Sequence, residues 1–186
     1  MEDRAMDWEA FEAAWCDNGC RAIARLAAAH PEERLYAAAF HLFYSDGSQI
    51  LPPALAANAE SAVTKPYEVS TRFTPAEWRW DVIDEASEAM RPWYERLTAL
   101  AQASGSEAET DALDTAHDRA IARICRKITA SARQGRVHPN LPPDFVVAVL
   151  ADERGDEAAD LLRASVDPRV LATVPGLLSH VDSYRQ

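Results

Sequence analysis

Three cysteines in 186 residues are too few for a disulfide framework, and a chain of this length needs none. Six glycines leave little material for a phosphate-cradling loop, and no GxGxxG, Walker or GxSxG pattern occurs. No apolar run reaches the roughly eighteen residues of a membrane-spanning helix. Positive charge is also short. Nineteen Lys and Arg face thirty Asp and Glu, for a net charge of -11. A field of that sign repels phosphate backbones, so nucleic acid is excluded as an expected partner. The first fifteen residues, MEDRAMDWEAFEAAW, are acidic and amphipathic and lack the basic start of a secretory signal. These features predict a reduced, cytoplasmic, soluble protein with no membrane contact.

What is present is apolar. Hydrophobic residues make up 48% of the chain, which suits one domain over 1–186 with one sizeable core. Residues 35–44, LYAAAFHLFY, carry no charge and read as a strand covered on both faces. Ser45-Asp46-Gly47-Ser48 follows as a tight turn, and Ile50 starts a return strand over 49–56. Pro52-Pro53 cannot donate to a ladder, so that return is expected to be an edge or to leave the sheet early. His41 lies inside the run and reads as a core histidine with one hydrogen bond.

The rest of the chain alternates in kind. Residues 7–29 are helical in pattern, with an interruption at Asn18-Gly19. Asn58 reads as the cap of a short helix over 59–64. Residues 67–73 alternate apolar and polar like a half-buried strand. Thr74-Pro75-Ala76-Glu77 carries a capping-box pattern, which predicts a helix running to Met90 and, past Pro92, to about residue 103. A long helix is expected over 108–133, closed by Gly135. Residues 145–151, FVVAVLA, form the best strand by propensity and predict a place inside the sheet. Helices are expected over 157–164 and from Asp167-Pro168. Strands and helices in this order do not make βαβ units. The expected fold is α+β, a small and mostly antiparallel sheet of about four strands packed with several helices.

Chemistry is harder to find. Cys16 and Cys20 stand four apart, but no second cysteine pair completes a zinc site, so no metal or other cofactor is expected. The five histidines are scattered, with no HExxH spacing. Two acidic clusters stand out. Asp81, Asp84, Glu85 and Glu88 read as a solvated helix face. Asp152, Glu153, Asp156, Glu157 and Asp160 follow the last strand, where functional groups often sit. Trp78 and Trp80 cannot both face a core from one helix, so one is expected to be partly exposed and available as a binding anchor.

Four stretches, LYAAAFHLFYSDG, ILPPALAANAESAV, RFTPAEWRW and FVVAVLADERGD, resemble in order a bacterial family known only as a domain of unknown function. Members of that family look like relatives of the small acidic immunity proteins that accompany bacterial polymorphic toxins. The resemblance implies a non-enzymatic module that neutralises a partner by covering it, and it brings no catalytic residue with it. A basic toxin would be drawn to a surface of -11. Asp46, Trp80, Asp152, Glu153, Asp156 and Glu157 are the expected contact residues. The alternative is a small-molecule enzyme whose site joins His41 or His117 to a distant carboxylate. It predicts a concave pocket with a histidine beside a shifted carboxylate. A third reading is a structural subunit of a homo-oligomer, expected to show a large apolar patch.

Overall fold

The computed structural model describes residues 5–43, 49–65, 68–174 and 176–182. The turn expected around Asp46 lies outside the described residues. Helix α1 (Trp8–Ala29) leads into β1 (Leu35–His41), and β2 (Ala54–Ala59) returns beside it. Short helices α2 (Glu68–Phe73) and α3 (Asp84–Ala89) precede α4 (Arg91–Gln102) and the long α5 (Glu107–Arg133). Strand β3 (Val146–Val149) is followed by α6 (Glu157–Ser165), α7 (Pro168–Leu171) and α8 (Leu177–Asp182).

The fold is α+β, but the sheet has three described strands in the order β2-β1-β3, and it is mixed. β1 runs antiparallel to β2 and parallel to β3. The uncharged run is therefore the central strand. FVVAVLA is an edge strand by order, covered on both faces, which is why it lacks the polar alternation of an exposed edge. From Ala37 onward the side chains of β1 and its partners alternate. Ala38, Phe40, Leu55, Ala57, Val147 and Val149 face α1 and α5. Ala37, Ala39, Ala56, Val146 and Ala148 face a second cluster that includes Phe73, Leu162 and Leu177. A register shift between Leu35 and Ala37 leaves Tyr36 unpaired as a bulge, so Tyr36 joins Ala37 on the second face.

The remaining expectations divide by whether a local signal met a free partner. α1 runs unbroken through Asn18-Gly19. Gly19 stays helical because it is a point of close approach, where a Cβ would stand 2.9 Å from Cδ1 of Ile128 on α5. The expected strand 67–73 is a helix over its described residues, 68–73. The outer edge of β2 is met by 80–83, and the helix sets Phe73 into the second cluster. Asn58 caps nothing. It lies in β2, fully buried, and gives its amide to the Tyr36 hydroxyl at 3.1 Å. The capping-box segment makes one 3-10 turn, Pro75–Glu77, with no bond from the Thr74 side chain. The chain beyond is extended, because Trp80 exchanges both backbone bonds with Ala57 and Ile83 donates to Leu55. That pairing covers the outer edge of β2. The return strand is shifted to 54–59, past the two prolines.

Candidate functional site

One face of α5 carries Asp114, His117 and Asp118, three and four residues apart, which places them on successive turns of the same stripe. One ligand-type atom from each lies within 4.8 Å of the others. Ser106 caps the helix by accepting from the Glu109 amide, and the Glu109 side chain accepts from Gly105, so the stripe starts from a fixed end. Gly135, at φ +69°, closes the far end.

Arg154 meets this stripe from the 3-10 turn after β3. Its Nη2 donates to Asp118 at 2.6 Å and to Asp114 at 3.3 Å, and its Nε donates to Glu157 at 3.3 Å. The Arg154 and Asp118 side chains are 10% and 11% exposed. Burial, and then the neighbouring Asp118 charge, holds the Asp114 carboxyl above the ordinary aspartate range. For Arg154, burial acts against the charge, but Asp118 and Asp114 outweigh it and the guanidinium is held more firmly protonated.

His117 is fixed from the other side. The Trp15 indole donates to the Tyr94 hydroxyl at 3.1 Å, and that hydroxyl is 3.1 Å from Nε2 of His117. The indole can only donate, so the tyrosine accepts there and keeps its own proton to offer to Nε2. With Nε2 accepting, the ring carries its proton on Nδ1, which faces Asp118 Oδ1 at 3.6 Å. A ring so held offers no free lone pair to a metal unless its hydrogen bonds rearrange, and the Arg154 guanidinium already supplies a cation to both carboxylates. The space beside His117, bounded by Leu42, Ile50 and Leu51, is about 10 Å³, no more than water-sized.

The carboxylates also face outward, into a groove of about 580 Å³ between α5 and α6. Asp111, Asp114, Asp118, Glu157 and Asp160 line it against only two guanidiniums, Arg119 and Arg154. Asp160 also accepts from Arg163 at 3.2 Å. Leu161 and Ala164 supply an apolar floor.

The expected contact residues fall in separate places. Glu157 lies in the groove, and Glu153 and Asp156 are exposed on the turn leading into it. Asp152 opens the same turn. Trp80 is half-buried beside β2, on the opposite edge of the sheet from β3, stacked 4.9 Å from His30 and beneath Arg79. It shares no surface with the acidic turn. Of the first acidic cluster, Asp81, Asp84, Glu85 and Glu88 are exposed, and Glu85 pairs with Arg25 at 2.6 Å. Nε2 of His41 is buried without the expected hydrogen bond among the described residues. Sequence reading passed over Asp114, Asp118 and Arg154. The DTAHD pattern at 114–118 on a long helix was the available signal, whereas nothing local marks Arg154 or the Trp15–Tyr94 pair.

No described helix is long and apolar enough to cross a membrane. Comparison with protein-family models, curated proteins and solved structures finds no match to this chain.

Proposed function

We propose that this chain is a non-enzymatic, acidic protein-binding module of the immunity type, which neutralises a basic partner by direct binding. The groove between α5 and α6 carries the reading. It holds three more carboxylates than guanidiniums, over an apolar floor, on a chain of net charge -11. Such a surface steers a cationic partner toward it and receives Lys or Arg side chains beside apolar contacts. Asp111 makes no ion pair among the described residues, and Glu157 is 69% exposed on its side chain, so both are open to a partner. Asp156 and Glu153 extend the same surface.

The test is affinity purification of the tagged full chain from its native host, followed by titration of the captured protein. One basic protein at equal stoichiometry, released by salt, is expected. Asp111→Lys with Asp160→Lys should slow its association by about tenfold and flatten the salt dependence. Equal binding by that double variant would move the contact elsewhere. Recovery of the bait alone, at low and high salt, would end the binding reading.

A second reading, an acid–base enzyme, is favoured by one observation. His117 sits beside Asp114, whose carboxyl is raised. Against it, the described space beside the ring is water-sized, while the groove of useful size is lined by the aspartates and not by His117.

A further inference from the structure

A second cavity, of about 420 Å³, lies on the other face of the sheet. Its floor is β1 and β3, where Ala37 pairs with Val146 and Ala148 stands two residues along. The two alanines leave room that longer side chains would fill. Phe73, Trp78 and Tyr36 provide aromatic walls, and Val174 and Leu177 close over the far side. The volume falls within the roughly 300–1,000 Å³ of small-molecule sites.

The mouth carries charge, and all of it is engaged. Glu60 accepts from Arg72 through both carboxylate oxygens, at 3.2 and 2.7 Å, and the Arg72 guanidinium lies 4.6 Å over the Tyr36 ring. Asp144 takes both its bonds from Arg34, at 2.8 and 2.9 Å. Among the described residues, neither an anion nor a cation finds a free counter-charge there. The Tyr36 hydroxyl is likewise committed, to Arg72 O and to Asn58.

We infer that this cavity is a binding site for an uncharged, mainly apolar small molecule that carries an aromatic ring. The site is independent of the groove between α5 and α6. The occupant gains by burying its surface against Ala37, Val146, Ala148 and the aromatic walls, and a charged group would lose solvation without compensation.

The test is amide-resolved NMR titration of the full chain with three probes of one shape: 4-phenyl-1-butanol, 4-phenylbutylamine and 4-phenylbutyrate. The alcohol is expected to shift the amides of Ala37, Val146, Ala148 and Gly176 saturably, with Kd of about 1 mM or tighter for so small a ligand. Both ions should bind about fivefold more weakly or worse. Val174→Trp, which narrows the mouth, should abolish the shifts, and Ala37→Leu, which fills the floor, should do so independently. The same spectra show whether each variant is folded. Shifts elsewhere, an ion that binds as well as the alcohol, or binding that survives in a folded variant would overturn the inference. So would shifts at these amides that follow protein concentration without probe, since a second copy would then be the occupant.

Discussion

The Trp15 indole donates to the Tyr94 hydroxyl across 3.1 Å, joining α1 to α4 and opening a chain of side chains that runs on to His117 and Asp118. Tyr94 is buried and its burial pushes the phenol far above its ordinary range, so the hydroxyl stays neutral and relays two bonds. Tyr94→Phe leaves the Trp15 donor and the His117 acceptor buried without partners. The expected loss is about 2–4 kcal/mol, read from urea unfolding. A change within about 0.5 kcal/mol would show that water replaces the hydroxyl.

Arg154 ties the acidic turn to α5. Arg154→Met leaves Asp114 and Asp118 without their cation and should cost about 3 kcal/mol, because breaking a largely buried pair strands the other charges. Stability should recover in part as pH falls, since protonated aspartates need no partner. In the native chain the Asp114 carboxyl is raised, so the folded form binds its proton more readily than the unfolded chain. That contribution is present at acid pH and is lost as pH rises through the folded value. Asp114→Asn should therefore look more favourable, relative to wild type, at neutral than at acid pH.

Glu12 has the opposite sign. It is buried on α1 and accepts from Arg123 Nε and Lys127 Nζ of α5, each at 2.7 Å. Burial pushes its carboxyl up, but the bonds from Lys127 and Arg123 outweigh it, and the group lies below the ordinary glutamate range. Its contribution is full above the unfolded value and is lost as pH falls through the folded one. Glu12→Gln should cost about 2 kcal/mol at neutral pH, and the gap to wild type should close on acidification.

Gly19 fixes the spacing of α1 and α5. A Cβ there must displace Cδ1 of Ile128, the end of a side chain that can turn, while Ala gains about 1 kcal/mol of helix propensity. Gly19→Ala should stay within about 1 kcal/mol of wild type, whereas Gly19→Leu should lose about 3 kcal/mol by overpacking. Urea midpoints distinguish the two. A neutral leucine would mean that the helices separate freely.

The thiols should be quiet. Burial pushes Cys16 up to about 11 and raises Cys20 and Cys125 as well. At about pH 8 the Cys16 thiolate is then roughly one part in a thousand, so DTNB should label the native chain slowly and the urea-unfolded chain at once. Fast native labelling of Cys16 would show that α1 opens.

Elements whose signal is carried by their own residues were legible from the chain alone. Phe11 and Trp15 set the stripe of α1, Gly135 closes α5, and Asp167 caps α7 by accepting from the Arg169 amide. The uncharged β1 and the β-branched β3 announce strands buried on both faces. Tertiary structure decided what those elements meet. Residues 68–73 coil with Phe73 held in the second cluster, and Thr74-Pro75 lost its helix because β2 captured Trp80. The cluster of Asp114, His117 and Asp118 was half legible as a helical spacing, but its cation comes from Arg154, 36 residues beyond Asp118. Local patterns report short-range preferences of a few tenths to about 1 kcal/mol per residue. Edge pairing, buried charge and close helix contact are larger and non-local, so they overrule those preferences only once the chain has closed on itself.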